Sequence, residues 1–242
     1  MKIVSLAPSN TEILYRLGAE DFIVATTSLC DYPEEAIEKP SVGGWTDSDL
    51  EKIEEIEPDL ALASDDLQDE IVENLEEKNI EVVQVKPHSL EEVFESIELL
   101  GRVVGKEQEA SKLVKNMKKQ IETVDLEGAR IYCEEWMDPP MISGNWIPDL
   151  IQEAGGNYFI DRGRSREFKT GKLRKFDPEY IFLNVCGAGE NIDTSKVLER
   201  DKWREIQAVR EKNVYILDDA LLNRPGPRLV KGLKEIERRV KN

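Results

Sequence analysis

The chain has 242 residues, 40% of them hydrophobic, enough for one large core or two small ones. Fifty acidic side chains against 33 basic ones leave a formal net charge of −17, which argues against a phosphate-backbone partner and against an anionic membrane surface. No apolar run approaches the roughly 18–20 residues needed to cross a bilayer, and three isolated cysteines without a CxxC pair argue against a disulfide framework or a local zinc knuckle.

Residues 2–6 read as a β-branched strand ending at Ala7-Pro8-Ser9-Asn10. There Ser9 or Asn10 is expected to cap a helix carried by Glu12, Ile13, Leu14 and Leu17 and stopped by Gly18. A second strand over 22–27 closes at Leu29-Cys30-Asp31-Tyr32-Pro33, and a loop with Pro40, Gly43, Gly44 and Trp45 leads into a helix over 48–56. Glu57-Pro58-Asp59 precedes a strand over 60–63, a helix over 68–78 and a fourth strand over 80–85. Strands alternating with helices predict βαβ crossovers and a mostly parallel sheet, so residues 1–87 form an α/β lobe.

Residues 89–124 carry apolar side chains at helical spacing, from Leu90, Val93, Phe94 and Ile97 to Met117, Ile121 and Val124. The stripe predicts one long helix over 88–125, interrupted only by the weak points Gly101 and Gly105. At 1.5 Å per residue it would span roughly 50 Å, a connector between two lobes. The same alternation returns over 126–242. Strands are expected at 129–134, 158–160, 180–185 and 213–217, and helices at 146–153, 172–176, 203–209 and 227–240.

The two halves repeat each other. Leu50-Glu51-Lys52-Ile53 followed by Glu57-Pro58-Asp59-Leu60 parallels Lys172-Leu173-Arg174-Lys175 followed by Asp177-Pro178-Glu179-Tyr180, and the helix–Gly–strand unit of 12–24 parallels 149–160. In open α/β sheets ligands bind beyond the carboxyl ends of strands, so two facing lobes predict one cleft. That rule selects the segments at Ser9, Asp31-Tyr32, Trp45, Trp136, Cys186 and Arg224. Trp45 and Trp136 would face the cleft, where a large flat ligand covers an otherwise exposed indole. Trp146 fits core packing equally well, and Trp203 belongs to a helix core.

Chemistry of other kinds finds little footing. His88 is the only histidine, there is no GxSxG elbow, and Gly187-Ala188-Gly189 is too short for a phosphate cradle. Cys30, Cys133 and Cys186 read as buried free thiols. Nothing in the sequence demands an enzyme, and no catalytic or metal-ligating residue is assigned.

Six stretches of the chain carry a family resemblance. Ile3-Val4-Ser5-Leu6-Ala7-Pro8-Ser9-Asn10-Thr11-Glu12, Asp31-Tyr32-Pro33, Val42-Gly43-Gly44-Trp45, Asp138-Pro139-Pro140 with Ser143-Gly144, Ala154-Gly155-Gly156-Asn157 and Arg224-Pro225-Gly226-Pro227-Arg228 span essentially the whole chain. Together the chain resembles the substrate-binding proteins of metal-chelate ABC importers, and among them the vitamin B12-binding members. The resemblance implies the class III periplasmic-binding-protein fold: two Rossmann-like α/β lobes with mostly parallel sheets joined by a single long α-helix. It implies a non-catalytic receptor for a corrinoid such as cobalamin, with haem or a ferric siderophore, or a cofactor-handling enzyme, as alternatives. Expected ligand contacts are Pro8, Ser9, Asp31, Tyr32, Trp45, Trp136, Cys186 and Arg224, and Glu51 matches an acidic residue that docks the first lobe onto a permease. No covalently held cofactor is expected, and neither nucleic acid nor membrane insertion is expected. The protein should be a monomer. The related position in the second lobe is Gly171, so the second docking acid is missing, and Leu29 replaces a tyrosine that the family places before Asp-Tyr-Pro. Met1 leads at once into a core strand, which reads as cytoplasmic; a leader already removed would place the chain in the periplasm or outside the cell.

Overall fold

The computed structural model describes all 242 residues. The chain divides into two compact units, Met1–Pro87 with Glu92–Lys115 and His88–Glu91 with Asn116–Asn242. In the first unit β1 (Ile3–Ser5), α1 (Pro8–Arg16), β2 (Ile23–Thr26), α2 (Leu50–Ile56), β3 (Leu60–Ser64), α3 (Asp69–Glu77) and β4 (Val82–Val85) alternate. The four strands pair in the order β2-β1-β3-β4, all parallel. Val4, Leu6, Ala25, Ala61 and Ala63 meet Ile53, Ile71 and Leu75 in one apolar cluster. Strands buried on both faces explain why β3 is a continuous apolar run rather than an alternation. Helix α1 starts a residue or two earlier than expected: Ala7 is its cap, without a side-chain hydrogen bond, and Pro8 opens its first turn. Ser9 and Asn10 therefore lie inside the helix.

The stretch expected as one connecting helix is two, α4 (Leu90–Val103) and α5 (Glu107–Ile121). Gly105 takes the left-handed φ of +67°, and the Lys106 N–H bonds back to the Gly101 carbonyl at 2.7 Å. A Cβ on Gly101 would overlap the Cβ of Ala110. The glycines read as weak points therefore make a turn and the close packing after it. At the other end of the pair, Lys118 binds the Glu91 carboxylate at 2.9 Å.

The second unit holds β5 (Arg130–Met137), β6 (Pro140–Ile142), α6 (Ile147–Glu153), β7 (Asn157–Tyr158), β8 (Arg166–Glu167), α7 (Thr170–Phe176), β9 (Tyr180–Leu183), α8 (Ser195–Leu198), α9 (Gln207–Arg210), β10 (Val214–Ile216) and α10 (Leu229–Val240). Its sheet runs β10-β9-β5-β6-β8, with β7 also on β5. Strands β10, β9, β5 and β7 pair in parallel, β6 pairs antiparallel with β5, and β8 pairs antiparallel with β6 at the edge. The strand expected over 129–134 runs on to Met137 and folds back through Asp138-Pro139 as a hairpin. The helix expected over 203–209 is only the single turn α9.

The internal repeat holds at the level of hydrogen bonds. Glu57 and Asp177 end α2 and α7 in the same left-handed conformation, with φ of 48° and 51°. In the first unit the Lys2 N–H donates to the Asp59 carboxylate at 2.6 Å; in the second the Arg130 N–H donates to Glu179 at 2.8 Å. The Lys2 and Arg130 side chains then cap the preceding helix ends at the carbonyls of Ile56 and Asp177. Gly18 and Gly155, both at positive φ, stop α1 and α6 ahead of β2 and β7.

Candidate ligand-binding site

At the carboxyl ends of the first sheet, Pro8 is half-buried and Ser9 only 4% exposed within the first turn of α1. Asp31 is exposed and Tyr32 half-buried, followed by a cis Tyr32–Pro33 peptide. Tyr32 and Pro33 line a groove of about 730 Å³ with Tyr15, Arg16 and Glu35, a lining that includes neither Ser9 nor Trp45. Trp45 is half-buried, and its Nε1 is buried with no acceptor.

Gln68, which sequence reasoning passed over, ties these loops together. Its side-chain oxygen accepts the Ser64 N–H at 2.7 Å, while Nε2 donates to the carbonyls of Leu6 and Trp45 at 3.0 and 2.7 Å. One fully buried amide thus fixes the ends of β1 and β3 and the Trp45 loop. Cys30 is held internally by the Thr11 and Thr27 hydroxyls at 3.1 and 3.3 Å, as a buried thiol.

In the second unit Trp136 is 48% exposed on the β5–β6 hairpin, and its Nε1 donates to the Asp138 carbonyl at 3.0 Å. Trp146 is core, with Nε1 on the Leu222 carbonyl at 2.8 Å, and Trp203 is 2% exposed. Arg224 is half-buried. Cys186 follows β9 as an exposed thiol, not the buried one expected, and takes a hydrogen bond from Asn223 Nδ2 at 3.1 Å. Desolvation by the surrounding chain, then the Glu135 and Asp219 carboxylates, push its pKa up to about 11. Burial pushes Cys133 up to about 12. Neither is a thiolate at neutral pH. Asn184 and Asn223 were also missed: Asn184 Nδ2 reaches Ser143 Oγ at 2.9 Å and Asn223 Oδ1 at 2.6 Å, joining three loops as Gln68 does in the first unit.

Behind the hairpin, Glu134 is fully buried and bidentate to Arg200 at 2.7 and 2.9 Å, with the Tyr132 hydroxyl donating at 2.9 Å. Burial raises the Glu134 pKa against the opposing effect of Arg200. No group of three or more His, Cys, Asp and Glu side chains gathers where it could hold a metal ion. Glu51 stands exposed on α2, and its repeat partner Gly171 is exposed on α7. Arg162, Arg164, Arg166 and Lys169 form an exposed basic stretch.

Comparison with known proteins agrees with this architecture. Residues 3–221 match the family described as periplasmic binding protein. The chain is 32% identical over 247 aligned positions to a Bacillus subtilis ABC transporter substrate-binding lipoprotein, YvrC, covering 97% of this chain and 78% of that protein. It is 26% identical to a vitamin B12-binding protein of Vibrio vulnificus, over 97% of this chain and 88% of that protein. A Staphylococcus epidermidis structure, a possible iron-binding periplasmic solute-binding protein, superposes with a TM-score of 0.85 at 25% identity, covering 100% of this chain and 98% of that one. No helix here is long and apolar enough to cross a membrane. The cytoplasmic reading of the sequence finds no support among these relatives, one of which is a lipoprotein. The chain belongs to the periplasmic binding protein family, as a non-catalytic substrate-binding protein of the ABC-importer type.

Proposed function

We propose that the protein is a monomeric receptor for a corrinoid of the cobalamin type, working at the outer face of the cytoplasmic membrane with an importer permease. The observation that carries the reading is Trp136, an indole 48% exposed at a sheet's carboxyl end in a chain 26% identical to a vitamin B12-binding protein. Such an indole gains free energy when a flat macrocycle covers it. Trp45, Tyr32, Asp31 and Pro8 in the first unit, and Trp136, Arg224 and Cys186 in the second, are the assigned contacts. Ser9, buried in α1, contributes through its helix turn. Glu51 is assigned to the permease. The metal arrives already chelated, so the protein needs to recognise only the rim and face of the macrocycle.

A ferric siderophore or haem is the second reading, supported by the likeness to a possible iron-binding protein and by the basic stretch at 162–169. Titration with cyanocobalamin, followed by tryptophan fluorescence and calorimetry, tests the two. One-to-one binding at micromolar affinity or tighter is expected, and Trp45→Ala should raise Kd by roughly tenfold or more. Binding of haemin or a ferric hydroxamate with no response to cyanocobalamin would replace the first reading by the second.

A further inference from the structure

The hairpin that presents Trp136 is irregular. Glu134 pairs with Ile142 and Trp136 with Met141, so β5 spends two residues where β6 spends one, and Glu135 is the extra residue of a bulge. A bulge bends its strand and re-aims the side chains that follow, here Trp136. Arg200 grips this bulge from both sides. Its Nη1 and Nη2 hold the Glu134 carboxylate before the bulge, and Nη2 also donates to the Met137 carbonyl after it, at 2.7 Å. The guanidinium is itself fixed by the Trp203 ring, 4.4 Å from the ring centroid. The carboxylate is fixed by the Tyr132 hydroxyl.

We propose that Arg200 is a positioning residue for ligand binding, setting the bulge that aims the Trp136 indole without touching the ligand itself. A buried ion pair is poor evidence of stabilisation, because an apolar pair of similar volume commonly serves a core as well. What an apolar pair cannot supply is a rigid fork of donors spanning a carboxylate and a backbone carbonyl on opposite sides of a bulge. Lysine keeps the charge beside Glu134 but loses the span.

The inference rests on the reading of Trp136 as a ligand contact, so its test has one readout with ligand and one without. Labelling with 5-fluorotryptophan marks the four tryptophans, and Trp136→Phe assigns the Trp136 fluorine resonance. In Arg200→Lys that resonance should shift or broaden while Trp45 and Trp146 stay in place; a Trp136 line that does not move overturns the proposal. With cyanocobalamin, Arg200→Lys should raise Kd by roughly five- to tenfold, and add nothing in a Trp136→Ala background. Additive losses would also overturn it. Should the wild type bind neither cyanocobalamin nor haemin, the functional reading fails while the fluorine spectrum still decides Arg200. If Arg200→Lys does not fold, the pair Glu134→Gln with Arg200→Gln removes both charges together and carries the same expectations.

Discussion

Beyond β9 the Cys186 thiol stands near the Glu135 carboxylate, with Sγ 3.9 Å from Oε1, and accepts from Asn223. Desolvation pushes its pKa up to about 11, which keeps the sulfur protonated and slow to react although the residue is exposed. An ordinary cysteine ionises at ~8.5, so at pH ~8 the thiolate fraction of Cys186 is lower by roughly two hundredfold. Alkylation by iodoacetamide, read by mass spectrometry, should be slower than that of free cysteine by about that factor, and should accelerate as pH rises toward 11. Rapid labelling at pH ~8 would mean that the surrounding chain does not desolvate the sulfur, and that the Glu135 and Asp219 carboxylates do not hold its proton on. At this scale the sequence was legible where a residue sits beside its own turn, as with Asp31-Tyr32-Pro33 or Trp45 in its glycine loop. It was silent about Gln68, Asn184 and Asn223, whose partners lie up to 62 positions away. A buried amide leaves no periodicity behind, and only the loops it joins reveal it.

At the scale of elements, the apolar stripe from Leu90 to Val124 keeps helical spacing on either side of Gly105, and the structure turns between the two parts. A stripe reports which face is buried and not whether the axis stays straight. The turn was written in Gly101 and Gly105, but in two different ways. Gly105 supplies a left-handed φ with open space around it, whereas Gly101 supplies room for Ala110. Gly105→Ala should therefore cost about 1 kcal/mol, the ordinary price of a left-handed alanine. Gly101→Ala should cost more, about 1–3 kcal/mol, because two Cβ atoms compete for one position. Urea denaturation of both variants tests the order, and equal losses would show that the α4–α5 packing yields easily. The bulge in β5 was also beyond sequence reasoning, since it depends on which residues β6 opposes.

At the scale of the whole molecule, 50 acidic against 33 basic side chains leave charge that repels itself in the compact state. Raising NaCl from about 20 mM to about 500 mM shortens the screening length severalfold and should raise the Tm by a few degrees. A Tm that falls with salt would mean that pairs such as Lys78–Glu54 and Lys86–Asp69 outweigh the net repulsion. The sequence by itself determined the alternation of strands and helices, the doubling of one αβ grammar and the family. Each of these rests on local periodicity, turn residues or repeated spacing, which survive in a linear text. The tertiary structure alone decided that the weak points at Gly101 and Gly105 become a full turn between two packed helices, that β6 enters the second sheet antiparallel, and that Arg200 holds Glu134 from 66 positions away. Those outcomes depend on which distant groups meet in a low-dielectric interior, where an unmatched carboxylate or amide is costly, and spacing along the chain does not encode that meeting.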